Sequence, residues 1–211
     1  MTAITHHIPD ALLAAYATGN LPQAYSLVVA AHVSLCLDCR ATVEAHQAAG
    51  GVVLDSVGAE PVSDRLKSGV LDLLDAPFVP EPRFQRSGVF PGPVVEALKG
   101  KPPRWKSLGL GVRQSILAAD RDGSVRLLSI PPGQAVPDHS HNGLELTLVL
   151  EGSFRDETGR FAVGDVEVAD QSLEHTPIAE PGPACICLAA TDAPLRFNAL
   201  IPRLLQPLFR I

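Results

Sequence analysis

The spacing of hydrophobic positions changes character near the middle of the chain. Up to about residue 75 they recur at intervals of three and four: Leu12, Leu13 and Tyr16, then Tyr25, Val28, Val29 and His32, then Leu66, Val70, Leu73 and Leu74. One face of an α-helix returns every 3.6 residues, so this pattern predicts helices. The punctuation agrees. Pro9 opens a first helix with Gly19 just after it, and Pro22 opens a second. Asp38 is placed to cap a third that runs through Val43 towards Gly50, and Ser63 and Asp64 start a fourth that stops before Pro77. From Trp105 onward the apolar runs are short: 125–130, 145–150, 161–168 and 185–189, separated by Gly, Pro and Asp. Such spacing predicts the strands of a sandwich or barrel. Pro77, Pro80, Pro82, Pro91, Pro93, Pro102 and Pro103 crowd the stretch between. They exclude long helices and central strands, leaving room for a short helical turn near Val94 to Leu98. The predicted organisation is α + β in two domains: a bundle of about four helices at 1–76, a proline-rich linker at 77–104, and a β-barrel at 105–211. The linker is expected to let the domains move, and the apolar, proline-interrupted end at 200–211 is expected to pack over the barrel.

Composition narrows the function classes. With 211 residues and 46% hydrophobic content there is ample material for a core, and 5% aromatics make that core aliphatic. No apolar run is long enough to span a bilayer, and the first ten residues lack the basic patch and apolar run of a signal peptide, so the expected location is the cytoplasm. The net charge of -6 is uneven: residues 1–85 carry nine Asp/Glu against four Lys/Arg. That acidity argues against direct binding of nucleic acid and against a DNA-binding repressor; it suits a basic protein partner. The four cysteines form two close pairs, Cys36 with Cys39 and Cys185 with Cys187. In a cytosolic chain such pairs indicate metal or redox chemistry rather than structural disulfides.

The first pair belongs to a ligand cluster. His32, Cys36 and Cys39 are spaced H-x3-C-x2-C. On a helix His32 and Cys36 stand one turn apart on one face, and the chain can turn back to bring Cys39 to the same point. Structural zinc takes four thiolate or imidazole ligands. His6 or His7 can supply the fourth, and His7 is favoured because it lies nearer the first helix. The predicted set is His7, His32, Cys36 and Cys39. Four protein ligands close the site, so this zinc is expected to be structural.

A second constellation lies in the β half. Gly133-x5-His139-x-His141-x3-Glu145-x6-Gly152 is followed by Gly164-Asp165 and, further on, His175. Side chains two apart on a strand share a face, so His139 and His141 can both face a barrel interior. Glu145 has the same parity, and His175 would arrive from a neighbouring strand. Three histidines and a carboxylate suit zinc, manganese, iron or nickel and leave positions open. Cys185 and Cys187 share a strand face, where buried packing is the expected role. Glu174 is the nearest acid or base beyond the ligands, and alternation aims it away from His175. His6 and His46 are expected at the surface.

These residues carry resemblances. His32-Val-Ser-Leu-Cys36-Leu-Asp-Cys39 in a helical setting resembles the zinc-binding anti-sigma domain, over about residues 1–75. The segment from Gly133 to Gly152 is similar to the first cupin motif; the second motif departs, keeping Gly164-Asp165 and His175 without its usual Pro-x-Gly. The two in this order resemble the ChrR-type anti-sigma factors, as do His6-His7-Ile-Pro-Asp, the strand Gly143 to Leu150, and Ala193 to Asn198. The resemblance implies a jelly-roll-like cupin barrel and a transcription regulator, not an enzyme. It implies a one-to-one complex with an extracytoplasmic-function sigma factor, held from RNA polymerase and released on oxidative stress such as singlet oxygen or organic peroxide. It implies no direct contact with nucleic acid or membrane. The alternative is a cupin metal enzyme, a dioxygenase or hydrolase, with an N-terminal zinc oligomerisation domain.

Overall fold

A computed structural model describes residues 3–75, 77, 80, 82–136 and 143–192, together with the backbone of 139, 140, 196 and 197. His141, the Ala193 to Leu195 part of the resemblance and the closing segment 200–211 therefore lie outside the described residues.

The helical half begins with α1 (Asp10–Ala17), α2 (Gln23–Val33) and α3 (Leu37–Asp55). Pro9 and Pro22 sit at the N-caps of α1 and α2, where a missing N–H costs nothing. Cys36, not Asp38, is the N-cap of α3; Asp38 lies in its first turn, where its charge favours the helix dipole. The helix also runs on through Gly50 and Gly51 to Asp55, five residues past the expected end. The fourth helix, α4 (Asp64–Asp72), is capped by Ser63, whose Oγ accepts from the Leu66 N–H at 3.2 Å. Every residue of α4 is exposed, so its apolar stripe is not a core stripe. The packed helices are α1 to α3, joined by the short α5 (Gly92–Ala97) in the proline-rich segment, which buries Val94 against the same cluster.

The β half contains β1 (Lys106–Gly109), β2 (Val112–Asp120), β3 (Gly123–Ile130), β4 (His139–Ser140), β5 (Glu145–Glu151) and β6 (Ser153–Arg155). It continues with β7 (Arg160–Ala162), β8 (Val166–Ala169), β9 (Glu174–His175), β10 (Ile178–Ala179), β11 (Cys185–Thr191) and β12 (Arg196–Phe197). A six-stranded antiparallel sheet, β1-β2-β3-β11-β5-β8, faces two three-stranded sheets, β10-β6-β7 and β12-β4-β9. This is the expected jelly-roll-like sandwich. The apolar run at 161–168 is not one strand: a turn at Val163 to Asp165 breaks it into β7 and β8, with Gly164 at φ +95°. A side chain there would be strained, and its Cβ would meet the Ile4 side chain at 2.7 Å.

The large sheet is buried on both faces, which is why β5 reads as a continuous apolar run rather than an alternating one. One face, with Leu146, Leu148, Leu188 and Val166, joins Val28, Val29 and Ala31 of α2 in a single cluster. The other, with Val149, Cys185 and Cys187, packs on Phe154, Phe161 and Ala179 inside the sandwich. The helices thus share a core with the outer face of the cupin sheet. Leu188→Ala should therefore lower the free energy of unfolding by about 2–5 kcal/mol. In urea titrations of the full chain, the helical circular dichroism and the fluorescence of Trp105, which packs against the same cluster, should shift together.

Candidate metal centres

His7, His32, Cys36 and Cys39 come together, with one ligand atom from each all within 4.8 Å of one another. His32 closes α2, Cys36 caps α3, Cys39 lies in the first turn of α3, and His7 arrives on the extended segment before α1. His7 Nδ1 lies 3.3 Å from Cys36 Sγ and 3.6 Å from Cys39 Sγ. His32, Cys36 and Cys39 are buried; His7 is exposed and forms the solvent side. The His6 side chain stays outside the cluster and partly exposed, against Phe161 with ring centroids 4.4 Å apart. His46 is at the surface, 2.9 Å from Asp10.

One atom tests whether this group fits a metal. His32 Nδ1 lies 2.9 Å from the Gly164 carbonyl oxygen. A carbonyl only accepts, so Nδ1 carries the proton and Nε2 presents a lone pair. That Nε2 is buried and has no hydrogen-bond partner. An orphaned acceptor is costly in a dry site, and a cation beside two thiols would relieve it. Burial, with His7 adding to it, pushes the His32 imidazole down to about 4, so at neutral pH it is a neutral donor. Burial pushes the Cys39 thiol up to about 11, so in the absence of a cation it holds its proton. Two sulfurs and two imidazole nitrogens in a closed cluster suit tetrahedral zinc.

The second constellation is only partly described. His139 on β4 is the cross-strand partner of His175 on β9, which sets two of the expected positions side by side in one small sheet. Glu145 opens β5 on the large sheet and accepts from Thr147 Oγ1 at 2.9 Å. His141 lies outside the described residues. His175 is buried and its neighbour Glu174 is exposed, as strand alternation requires.

His175 has partners that the motif does not contain. Its Nδ1 donates to Asp156 Oδ2 at 2.7 Å and to Glu167 Oε1 at 3.0 Å. These three groups also form a cluster able to hold a metal. Burial lowers His175, but the two carboxyls outweigh it and bring the imidazole up to about 9. Burial raises Glu167 to about 8, with Asp156 adding to it. Burial also works to raise Asp156, yet hydrogen bonds from Glu167, His175 and Thr158 hold it well below the usual carboxylate range. With Nδ1 held on the carboxylate side, Nε2 is the nitrogen His175 would offer to a metal. Sequence reasoning missed both carboxylates. Asp156 reads as a turn residue, but Glu167 leaves a trace: it is an acid within a strand buried at Val166 and Ala169. Cys185 and Cys187 are buried together, their sulfurs 3.5 Å apart.

Residues 98–194 match the ChrR cupin-like domain family. The chain is 53% identical over 211 residues to the anti-sigma-E factor ChrR of Cereibacter sphaeroides, covering 99% of both chains. It also superposes with a TM-score of 0.81 and 50% identity on the crystal structure of Rhodobacter sphaeroides SigE in complex with the anti-sigma ChrR, covering 90% of this chain and all of that one.

Proton linkage gives a check on the first cluster. Zinc should displace the Cys39 proton, so affinity should rise with pH through the neutral range; His32, already neutral down to about 4, should add nothing to that slope. Calorimetry at pH 7 in buffers of different ionisation enthalpy should count the protons released, and Cys39→Ala should release one fewer.

Proposed function

Since the chain belongs to the ChrR family of anti-sigma factors, we propose that it binds an extracytoplasmic-function sigma factor one-to-one in the cytoplasm and withholds it from RNA polymerase. The observation that carries this reading is the limb formed by the end of α3, the segment after it, and α4. Val52, Val53, Leu54, Val57, Leu66, Val70, Leu73 and Leu74 on it are all more than half exposed. Apolar surface this extensive on a monomer marks a binding site. Residues 1–85 are also acidic, which suits a basic partner and speeds its capture.

In this reading zinc is held by His7, His32, Cys36 and Cys39, and supplies folding energy to a helical unit with a small core of its own. These residues pin the N-terminal segment, the end of α2 and the start of α3 to one point, giving the α3–α4 limb a fixed root. The cupin half holds a second divalent metal, zinc or manganese, iron or nickel, through His139, His141, Glu145 and His175. It is the part through which an oxidative signal, singlet oxygen or organic peroxide, promotes release. The domain limits 1–76, 77–104 and 105–211 are part of the same proposal. Among the described residues no helix is long and apolar enough to cross a membrane. The family is one of regulators, so the enzyme alternative is set aside.

The test is to co-purify the full chain with the sigma factor encoded in the same genome, and to assay transcription by that sigma. We expect a zinc-containing one-to-one complex that suppresses transcription. Leu66→Asp with Val70→Asp should weaken it on the order of 1000-fold, since buried apolar anchors are each worth about 2 kcal/mol, while zinc content stays unchanged. A folded, zinc-loaded chain that neither co-elutes with the sigma nor inhibits it would sink the reading. A separate expectation concerns the signal. His141→Ala should still bind the sigma but no longer release it on exposure to peroxide; constitutive release would mean that the cupin half is not the sensor.

A further inference from the structure

We propose that the turn leading from β7 into β8, residues 164–167, mechanically couples the two metal centres, with Asp165 positioning the ligands of one and Glu167 a ligand of the other. This rests on the two-metal reading above.

Gly164 and Glu167 each bond a proposed ligand, and Asp165 and Val166 bond the segment just before His7. The Gly164 carbonyl accepts from His32 Nδ1 at 2.9 Å and so fixes both the tautomer and the ring orientation of a zinc ligand. Asp165 Oδ1 accepts the Thr5 and His6 backbone N–H groups at 2.7 and 2.9 Å, and its Oδ2 accepts the Ala162 N–H at 2.8 Å. The Val166 N–H donates to the His6 carbonyl at 3.1 Å. Those bonds hold the segment that delivers His7. Glu167, one residue further on, accepts from His175 Nδ1 at 3.0 Å. A displacement of β8 caused by a change at His175 is therefore felt at His32 and at the approach to His7. Ligand-orienting contacts of this kind are typically worth 10- to 100-fold in metal affinity. The turn is also constrained: Gly164 adopts φ +95°, and a Cβ there would meet Ile4. A close-packed turn shifts as a unit rather than absorbing strain locally.

Coupling is a non-additivity, so the experiment is a double-mutant cycle on the full chain. The protein is loaded with cobalt, and the thiolate-to-cobalt absorption that Cys36→Ala with Cys39→Ala abolishes reports the first centre alone. The readout is the rate at which a chelator removes that band. In the wild type, His141→Ala empties the cupin centre and should speed removal about 10-fold. Asp165→Ala should itself speed removal by at least about 10-fold and make it indifferent to His141→Ala. Asp165→Asn keeps an acceptor oxygen for the Thr5 and His6 amides and should restore part of the dependence. Tyr25→Phe removes a different tie between the halves, the 2.7 Å bond to the Leu144 carbonyl, and should leave the dependence intact. Two bound metals with His141→Ala acting equally in both Asp165 backgrounds, or not at all, would overturn the coupling alone. Loss of the dependence in Tyr25→Phe would assign it to the whole interface and overturn the role of the turn. A wild-type chain that binds metal only at the thiolate centre would overturn the coupling together with the two-metal reading.

Discussion

The hydrogen bond from His32 Nδ1 to the Gly164 carbonyl governs how the two halves of this molecule depend on each other. It decides which imidazole nitrogen carries a proton, and so turns Nε2 into a lone pair facing two thiols. The bond spans 132 residues of chain. The helices bring the ligands together, but the tautomer and ring orientation of His32 are set by the sandwich. The shared apolar cluster between α2 and the outer face of the large sheet gives that bond a rigid setting.

The same logic repeats at His175. There Asp156 and Glu167 accept from Nδ1, so the ring is again oriented by oxygen acceptors. Both histidines are oriented by oxygen acceptors from β-strand ends, and the acceptors lie three residues apart in Gly164 and Glu167. A family of regulators needs a route between a place where a signal arrives and a place where a partner is gripped. Here the contacts to His32 and His175 lie on one short piece of backbone.

Much of this was legible from local pattern. His32, Cys36 and Cys39 are close in sequence, so helix geometry alone brings them together, and the choice of His7 over His6 follows from its place beside α1. The cupin strands announce themselves through short apolar runs and turn residues. What could not be read is of four kinds. Asp165 and Glu167 act on residues far away in the chain, and such pairings leave no period. The break at Gly164 interrupts an apolar run whose two halves are both buried, so hydrophobicity alone merges β7 with β8. The stripe on α4 was visible, yet a stripe meant for a partner has the same 3.6-residue period as one meant for the core. The run of α3 through Gly50 and Gly51 is a further case, since glycine lowers helix propensity without forbidding a helix.

The bare limb of α3 and α4 has a consequence for the economy of the cell. A surface so rich in valine and leucine is a substrate for proteases and a nucleus for aggregation whenever nothing covers it. The lifetime of the chain is then tied to the abundance of whatever covers it. Excess copies would be cleared, and the pool would track its partner near stoichiometry without any dedicated feedback. Such a balance keeps a switch sensitive, because few spare inhibitors remain to recapture a partner once it has been let go.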